Sequence, residues 1–432
     1  MKIMLVNPPN AGRSIPEEEY GITSIRQIFR GEPFSLEVLA APLSSHDVII
    51  VDLKCEDEAY LWAQYDRFEP EVVGFTSVTC EANTVIRLSR EVKRRGEALV
   101  VVGGIHATLD PSCFNRSGID YVVIGLGKKS FPDLLEGFSG GRFGEVVPGV
   151  AKISPGQPLT FTPRRYGRDD LMENDAPRYD LVERWRDHYV IERLGLRMGS
   201  VVTAYGCTHR CSFCAIPEMT GGQYLTHQTG SVIRDIKRLG DIPFIRMVDA
   251  NTFGSPRASE ELCEAIITSS IKKRFFGDVR VDTIVKYPAL LKRWKEAGLY
   301  AVVVGFEDLQ PERLRAYDKK YDEGAIRQAV SILHELGLLI VGDFIIAPDY
   351  AEEDFRSIED FIVQNKIQIP VLSVLTPIPG TPLYASMKGQ ITVHDLDYYT
   401  FTNAVVPTTM PEKAFYGAYS ELVRRLHDKI SQ

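Results

Sequence analysis

Ala204-Tyr-Gly-Cys-Thr-His-Arg-Cys-Ser-Phe-Cys-Ala215 contains three cysteines, Cys207, Cys211 and Cys214, at the spacing C-x3-C-x2-C. The stretch follows the apolar run 200–203, so the cysteines stand on a loop that leaves a predicted strand. Three thiolates there can hold three irons of a [4Fe-4S] cluster and leave the fourth iron open to a ligand. A zinc knuckle or three unrelated thiols is the alternative, but structural zinc normally takes four protein ligands. No second C-x2-C or H-x3-H follows at finger spacing.

The composition of the 432-residue chain excludes several classes of protein. A hydrophobic content of 44%, with 25% charged residues, is ordinary for a soluble protein of two or three domains. The net charge of −8 argues against nucleic acid as a partner, because binding phosphates needs clustered Lys and Arg. Seven cysteines, three of them clustered, do not resemble a disulfide framework. With no apolar run near the roughly 18 residues of a membrane span, we expect a cytoplasmic protein without a membrane partner.

The first 150 residues alternate short apolar runs with helical patterns. Because the runs are apolar throughout, we expect a parallel sheet covered on both faces, that is, a doubly wound, Rossmann-like α/β domain. Ligands of such sheets bind beyond the carboxyl ends of the strands. The predicted strands are 2–6, 47–51, 72–76, 99–103 and 121–124.

The loops that follow these strands are rich in small and polar residues. Small residues let the backbone approach a large flat ligand closely. The candidate binding residues of these loops are Asn7, Pro8, Ser77, Thr79, Gly103, Gly104, His106, Ala107, Gly125 and Gly127.

A second series of strands and helices begins near residue 198, at the cysteine loop. We expect its strands at 244–248, 275–280, 301–307, 339–346 and 371–375, and active sites of such barrels lie at the carboxyl ends of the strands. Arg280 at a strand end can pair with a carboxylate through its planar fork. Arg280 in a surface ion pair and Glu307 as a helix cap are the alternatives. The polar or glycine positions brought to one face are Asp249, Asn251, Arg280, Gly305 and Glu307.

The cysteine spacing, with Phe213 just before the third cysteine, resembles the signature of the radical S-adenosylmethionine (SAM) enzymes. The resemblance implies a partial (β/α)6 barrel in which the open iron chelates the amino and carboxylate groups of SAM. The stretch Leu-Thr-Pro-Ile-Pro-Gly-Thr-Pro-Leu-Tyr at 375–384 is similar to a marker of this family. It further implies that Arg280 pairs with the SAM carboxylate and Glu307 with the ribose hydroxyls or the ammonium. Phe213, Asp249, Asn251 and Gly305 complete the implied SAM site.

The N-terminal loops resemble the cobalamin-binding domain that precedes many radical SAM domains, through Asn-Pro-Pro at residue 7 and Gly-Gly-x-His-Ala at residue 103. The chain lacks D-x-H-x-x-G, so the resemblance implies base-off cobalamin without a histidine lower ligand. We interpret His106 as lining the pocket or capping a helix rather than binding cobalt. The usual Gly-Glu-Gly-Glu reads Gly-Leu-Gly-Lys from Gly125. A flavodoxin-like domain that has lost its ligand is the alternative.

These patterns divide the chain into four parts. Residues 1–150 form the cobalamin-binding-like domain, and 151–197 form a linker rich in Pro, Gly and charge. Residues 198–384 form the radical SAM barrel, and 385–432 form a small C-terminal capping segment rich in tyrosine.

Together the two resemblances imply a C-methyltransferase that moves a methyl group from SAM, through methylcobalamin, to an unactivated carbon. We expect a small-molecule or a protein or peptide substrate, methyl-coenzyme M reductase being one example, and flavodoxin or ferredoxin as electron donor. Cyclisation, oxidation or rearrangement of a small molecule is one alternative, and a non-catalytic cobalamin or Fe-S sensor is another. A methylthiotransferase would need a second cluster, for which Cys55, Cys80 and Cys113 are too widely spaced. These three and Cys263 receive no role.

Overall fold

The computed structural model of the chain describes residues 1–23, 31–140, 146–191 and 195–430. The chain forms two compact units, each assembled from separate segments. The first unit contains Met1–Gly12, Phe29–Arg197 and Ala215–Gly240, and the second contains Arg13–Ile28, Met198–Cys214 and Asp241–Gln432. Thus residues 13–28 belong to the second unit, although the segments on either side of them belong to the first. Residues 215–240 belong to the first unit, although the segments on either side of them belong to the second. The linear division predicted from the sequence did not include these two crossings.

The strands and helices are numbered along the chain. The strands are β1 Lys2–Asn7, β2 Asp47–Asp52, β3 Val72–Thr76, β4 Leu99–Gly103, β5 Tyr121–Val123, β6 Val150–Lys152, β7 Val190–Ile191, β8 Leu196–Val201, β9 Ala204–Gly206, β10 Tyr224–Thr226, β11 Phe244–Met247, β12 Arg274–Val279, β13 Leu299–Glu307, β14 Leu339–Ile346 and β15 Ile369–Val374. The helices are α1 Ile15–Tyr20, α2 Phe34–Ala40, α3 Glu58–Phe68, α4 Ala82–Arg95, α5 Ile105–Leu109, α6 Ser130–Ser139, α7 Ile216–Met219, α8 Thr229–Arg238, α9 Pro256–Thr268, α10 Val281–Lys286, α11 Pro288–Ala297, α12 Pro311–Ala316, α13 Glu323–Glu335, α14 Glu352–Gln364, α15 Pro382–Met387 and α16 Glu412–Ile430.

The first unit is built on a sheet with the strand order β2-β1-β3-β4-β5-β6. The first five strands pair in parallel, and β6 joins antiparallel at the edge. The central strands are buried on both faces, as their continuous apolar sequences require. The prediction of a doubly wound α/β domain is confirmed, and the carboxyl ends of its parallel strands share one edge.

The segment predicted as a linker contributes to the core of this unit. It forms two 3-10 helices, Arg168–Leu171 and Tyr179–His188. Val182, Trp185 and Tyr189 pack with the strand residues of the apolar core and are almost fully buried. The segment is therefore docked along much of its length, as segments of this length in compact proteins usually are.

The second unit is built on six parallel strands in the order β15-β14-β13-β12-β11-β8. The pairing is parallel from β8 to β15, and a helix or helix pair follows each strand from β11 to β14. Phe306 and Phe344 pack against Phe361 of α14, so this face of β13 and β14 is covered by helix. The predicted partial barrel is confirmed, and the ends of these strands lie along one rim.

The C-terminal part of the chain packs on the second unit. Tyr416 and Tyr419 of α16 are buried, and the Tyr419 hydroxyl donates to the Leu372 carbonyl at 2.9 Å. The Asn403 side chain accepts from the Ile15 N–H at 2.8 Å and so holds the start of α1. None of the described helices combines the length and apolar character that crossing a bilayer requires.

Candidate functional site

None of the three cysteines of the loop after β9 is in a disulfide bond. Cys211 is buried, whereas Cys207 and Cys214 are partly exposed. The Cys214 backbone N–H donates to the Cys211 carbonyl at 3.0 Å, so the C-x2-C part of the loop forms a tight turn. The described residues contain no preassembled group of three or more metal-ligating side chains. Thiols must lose their protons before they bind metal, so assembly of such a site is coupled to metal binding.

The loop is tied to two other parts of the second unit through Ser212. Its hydroxyl donates to the Ala316 carbonyl at the end of α12, at 2.8 Å. Its carbonyl accepts from the N–H of Leu383 in α15, at 2.9 Å. The proline-rich stretch at 375–384 thus holds the cysteine loop, which gives that motif a structural role.

Phe213 lies in an apolar cluster that supports the loop from within. Its ring meets the Tyr317 ring edge-on, with 5.6 Å between centroids, and it also packs with Ile345. The Lys319 ammonium lies 5.6 Å from the centre of the Phe213 ring, within cation–π range. The aromatic residue of the motif therefore links the cysteine loop to the segment that follows α12.

Two of the predicted strand-end residues approach cysteine sulfurs. The Asn251 amide nitrogen lies 3.9 Å from the Cys207 Sγ, and the Arg280 Nη1 lies 3.8 Å from the Cys211 Sγ. Hydrogen bonds to the sulfurs of an Fe-S cluster help to set its reduction potential. Both side chains therefore lie where they can donate hydrogen bonds to the cysteine sulfurs.

Arg280 also forms a fork with a carboxylate of its own unit. Its Nε and Nη2 atoms each lie 3.0 Å from an oxygen of Asp282. Arg280 is 9% exposed, so this is not the surface ion pair that the sequence left open. Nη1 points to Cys211 rather than to Asp282, so the guanidinium joins the cysteine loop to the start of α10.

The end of β13 is shaped by a glycine and a buried ion pair. Glu307 has φ of 65°, and a Cβ on Gly305 would lie 2.3 Å from the Glu307 Oε1, so a larger residue at 305 would have to displace that carboxylate. The Lys319 Nζ lies 2.7 Å from the same oxygen, and both residues are buried. Burial opposes protonation of Lys319, but the charge and hydrogen bond of Glu307, together with Tyr321 and Cys211 nearby, outweigh it and raise the Lys319 pKa. Glu307 is thus paired with a cation and does not cap a helix.

Asp249 follows β11 and is 3% exposed. It accepts hydrogen bonds from the backbone N–H of Thr203 at 2.6 Å, that of Ala204 at 2.9 Å, and the Thr203 hydroxyl at 2.7 Å. Asp249 therefore holds the chain that leads into the cysteine loop.

The first unit has a cavity of about 110 Å³ at the carboxyl ends of β3, β4 and β5. Four of the glycines predicted to bind a ligand line it: Gly103, Gly104, Gly125 and Gly127. The other lining residues are Ser35, Leu36, Leu39, Gly74, Phe75, Thr76, Val101, Val123, Leu126, Phe131 and Met219. The lining is mostly apolar side chain and bare backbone, which suits a flat, partly apolar ligand.

Two of these glycines are required by their neighbours. Gly104 has φ of 97°, and a Cβ there would lie 2.7 Å from the Ser77 backbone nitrogen. Gly125 has φ of 87°, and its Cβ would lie 1.6 Å from the Tyr166 hydroxyl oxygen. That hydroxyl accepts from the Leu126 N–H at 3.0 Å and donates to the Ile124 carbonyl at 3.2 Å, so Tyr166 fixes the loop after β5.

His106 is buried completely in α5 and does not line the cavity. Neither ring nitrogen has a hydrogen-bond partner among the described residues, and the ring meets Phe114 edge-on at 5.6 Å. Burial lowers the pKa of His106 to about 4. The imidazole is turned inward against Phe114, and a role for His106 at a cobalamin pocket stays a prediction. Ala107, in the same short helix, is also buried. Ser77 and Thr79, which follow β3, are buried as well.

The remaining predicted residues of this unit flank the strand ends. The Asn7 amide donates to an Asp52 carboxylate oxygen on the neighbouring strand at 2.7 Å, and Pro8 beside it is buried. Lys128, where the family pattern has Glu, is 5% exposed. Burial lowers its pKa to about 8, against the attraction of Asp235 and other carboxylates nearby. The lysine is thus accommodated by acidic residues of the same unit.

Two family models match two successive parts of the chain. The model described as the B12 binding domain matches residues 28–135, and the model of the Radical SAM superfamily matches residues 201–362. Hopanoid C-3 methylase from Methylococcus capsulatus is 30% identical over 411 residues, which cover 93% of this chain and 77% of the relative. The chain belongs to the cobalamin-dependent radical SAM enzymes.

Other matches agree with this membership. Bacteriochlorophyllide d C-12(1)-methyltransferase from Chlorobaculum tepidum is 27% identical over 341 residues, covering 76% of this enzyme and 68% of the relative. The structure of the radical SAM methyltransferase TsrM from Kitasatospora setae, with cobalamin and a [4Fe-4S] cluster bound, has a TM-score of 0.72 at 20% identity. That match covers 96% of this chain and 84% of TsrM, and it shows a shared fold. The prediction of an enzyme is confirmed.

The residues present fit the cofactors of this radical SAM family. Three cysteines at C-x3-C-x2-C spacing, none of them in a disulfide bond, suit three irons of a cluster, since soft thiolates are the usual ligands of Fe-S iron. The glycine-lined cavity suits the approach of cobalamin to bare backbone.

Several residues near the radical SAM site were not found from the sequence. Lys319 and Tyr321 follow β13 by more than ten residues, and the Tyr321 hydroxyl donates to the Gly305 carbonyl at 2.7 Å. Asp343 lies within β14 on the face opposite to Phe344, and burial together with the charge of Glu307 raises its pKa well above the ordinary value. A charged residue inside an otherwise apolar strand was the available signal for Asp343. Nothing in the local sequence points to the other two.

Proposed function

We propose that this enzyme is a cobalamin-dependent C-methyltransferase that moves a methyl group from SAM to an unactivated carbon. The observation that carries the proposal is the similarity to hopanoid C-3 methylase along 93% of the chain, which includes both the cavity residues and the cysteine loop. A protein that retained only one of the two cofactors would not need both sets of residues.

Within this proposal each site has a distinct task. When bound, the cluster and cobalamin supply radical chemistry and a methyl carrier, and the protein positions them. Cys207, Cys211 and Cys214 would hold the cluster. Asn251 and Arg280 would act on its sulfurs, with Arg280 also within reach of a SAM carboxylate beside Cys211.

The SAM nucleoside is assigned to the end of β13. Glu307 presents a carboxylate beside the Lys319 ammonium, which suits ribose hydroxyls or the SAM ammonium. Gly305 leaves the backbone bare for close approach, and Phe213 supports the loop from below.

Cobalamin is assigned to the cavity among Gly103, Gly104, Gly125 and Gly127 of the first unit. Asn7, Pro8, Ser77, Thr79, His106 and Ala107 stay predicted contacts from the resemblance. The base-off state, a cytoplasmic location and a flavodoxin or ferredoxin as electron donor also stay predictions.

For the methyl acceptor we propose a polycyclic small molecule. The relatives named above methylate a hopanoid and a bacteriochlorophyllide by their names, and both are ring systems rather than peptides. A peptide substrate such as methyl-coenzyme M reductase, expected from the sequence, has no support from these relatives. Cyclisation or oxidation without net methylation is the alternative reaction, which the products of SAM distinguish.

The test is anaerobic reconstitution of the full chain with iron, sulfide and hydroxocobalamin, followed by SAM and a reductant. We expect a [4Fe-4S] cluster, bound cobalt, and both 5′-deoxyadenosine and S-adenosylhomocysteine, with a gain of one methyl mass on a hopanoid or a bacteriochlorophyllide in a substrate panel. 5′-Deoxyadenosine without S-adenosylhomocysteine, despite bound cobalamin, would contradict methyl transfer.

A pair of cysteine variants tests the assignment of the cluster. Cys211→Ala is expected to abolish cluster assembly and 5′-deoxyadenosine formation while the first unit keeps its cobalamin. Cys113→Ala is the control, because Cys113 is partly buried and lies outside the loop, in the first unit. Equal loss of iron in both variants would show that the loop is not the cluster site.

A further inference from the structure

Asp249 sits where two neighbouring strands of the second unit part. β8 and β11 pair in parallel up to Val201 and Met247, and the Val248 N–H donates to the Val201 carbonyl at 2.8 Å. Beyond this point β11 has ended, so it offers no backbone partner to the N–H groups that follow β8. The Asp249 carboxylate takes over, accepting from the Thr203 and Ala204 N–H groups through Oδ1.

The carboxylate is occupied by groups of its own unit. Oδ1 holds the two N–H groups at 2.6 and 2.9 Å, and Oδ2 accepts from the Thr203 hydroxyl at 2.7 Å. The Thr252 hydroxyl also bonds to the carboxylate. Burial raises the pKa of Asp249, and these hydrogen bonds oppose that rise. A buried acceptor with this many donors is a structural support, because leaving those buried N–H groups without a hydrogen bond would cost free energy.

Only Tyr205 and Gly206 separate Ala204 from Cys207, so the bonded stretch leads directly into the first cluster ligand. Supports behind metal ligands commonly fix ligand orientation without touching the metal. We propose that Asp249 is a positioning residue, which holds the entry to the cysteine loop through its hydrogen-bond geometry and not through its charge. This rests on the proposed function, namely that the three cysteines hold the cluster. It differs from the SAM contact that the resemblance implies for Asp249, because binding the SAM ammonium would need the negative charge.

Asp249→Asn separates the two roles. The amide oxygen can still accept from both N–H groups, and the amide nitrogen can donate to the two hydroxyls, which accept as well as donate. Asp249→Ala removes all of these bonds, and Thr203→Val removes only the hydroxyl bond. Asp360→Ala on α14 is the control, because Asp360 is exposed.

The first readout uses cluster-free protein. We expect backbone amide hydrogen exchange at Thr203 and Ala204 to accelerate in Asp249→Ala and to stay near the wild-type rate in Asp249→Asn. The second readout is iron loss from reconstituted protein to a chelator, with the electron paramagnetic resonance of the reduced cluster. Cluster affinity should fall by about 10- to 100-fold in Asp249→Ala, less in Thr203→Val, and little in Asp249→Asn or Asp360→Ala.

Two outcomes would overturn the proposal. An Asp249→Asn variant that keeps its cluster but loses affinity for SAM would overturn the proposal in favour of the charge-dependent SAM contact. Unchanged amide exchange and iron retention in Asp249→Ala would also overturn it. If Asp249→Ala does not fold, Thr203→Val and Asp249→Asn still carry the comparison. Failure of the wild-type chain to assemble a cluster would instead refute the proposed function, while the amide-exchange result would stand.

Discussion

Replacing His106 by leucine should remove a specific part of the acid sensitivity of the first unit. In the folded unit the buried imidazole has a pKa of about 4, against an ordinary value of 6.5. The unfolded chain therefore binds a proton more readily than the folded one between these values, and stability is lost as the pH falls through this window. The fully buried His106 should account for about 2 kcal/mol of the stability lost between pH 7 and pH 5.

The assay is urea unfolding of cofactor-free protein at the two pH values. Unfolding is monitored by hydrogen exchange and mass spectrometry, so that peptides of the first unit are read separately. For each protein, only the difference in the free energy of unfolding between pH 7 and pH 5 is compared, because the substitution also changes the stability at a single pH. His394→Leu is the control, since His394 is exposed. If His106→Leu and the wild type show the same pH difference, the imidazole is solvated or hydrogen-bonded in the folded unit and the reasoning fails.

Three further predictions follow from the sites. Gly125→Ala should lower cobalamin affinity by about tenfold or more while iron content stays unchanged, because the added Cβ meets the Tyr166 hydroxyl; cobalt analysis measures this. Glu307→Leu leaves Lys319 buried without its partner and should destabilise the second unit by about 3–5 kcal/mol, and adding Lys319→Met should recover part of the loss in urea unfolding. With cobalamin reduced to cob(II)alamin, labelling histidines with ¹⁵N should leave the cobalt resonance spectrum unchanged; altered nitrogen coupling would refute histidine-free binding.

The strands could be predicted nearly residue by residue because local pattern decides them. The apolar runs at 72–76, 99–103 and 339–346 coincide with β3, β4 and β14. A run of this kind has to be buried wherever it occurs, and in a two-unit α/β chain the parallel sheet is where it can be buried. The cysteine spacing is equally local, so the two units and their cofactors followed from the sequence and its resemblances.

The partners of the site residues could not be predicted in this way. Glu307 and Arg280 were expected to meet SAM directly, yet each is first engaged by Lys319 or Asp282. His106 was expected at the pocket, and the fold of α5 turns it against Phe114. In each case the side chain has several possible partners in sequence, and its surroundings in space select one.

The sequence alone determined which segments are strands, where the thiols cluster, and which loops are made of small residues, since periodicity, spacing and residue size act over a few neighbouring positions. Only the tertiary structure decided that Tyr166, from a segment predicted as a linker, fixes the loop at Gly125, and that Asp249 supports a chain 46 residues before it. Buried donors and acceptors must be paired, and which groups come within about 3 Å depends on how distant segments pack.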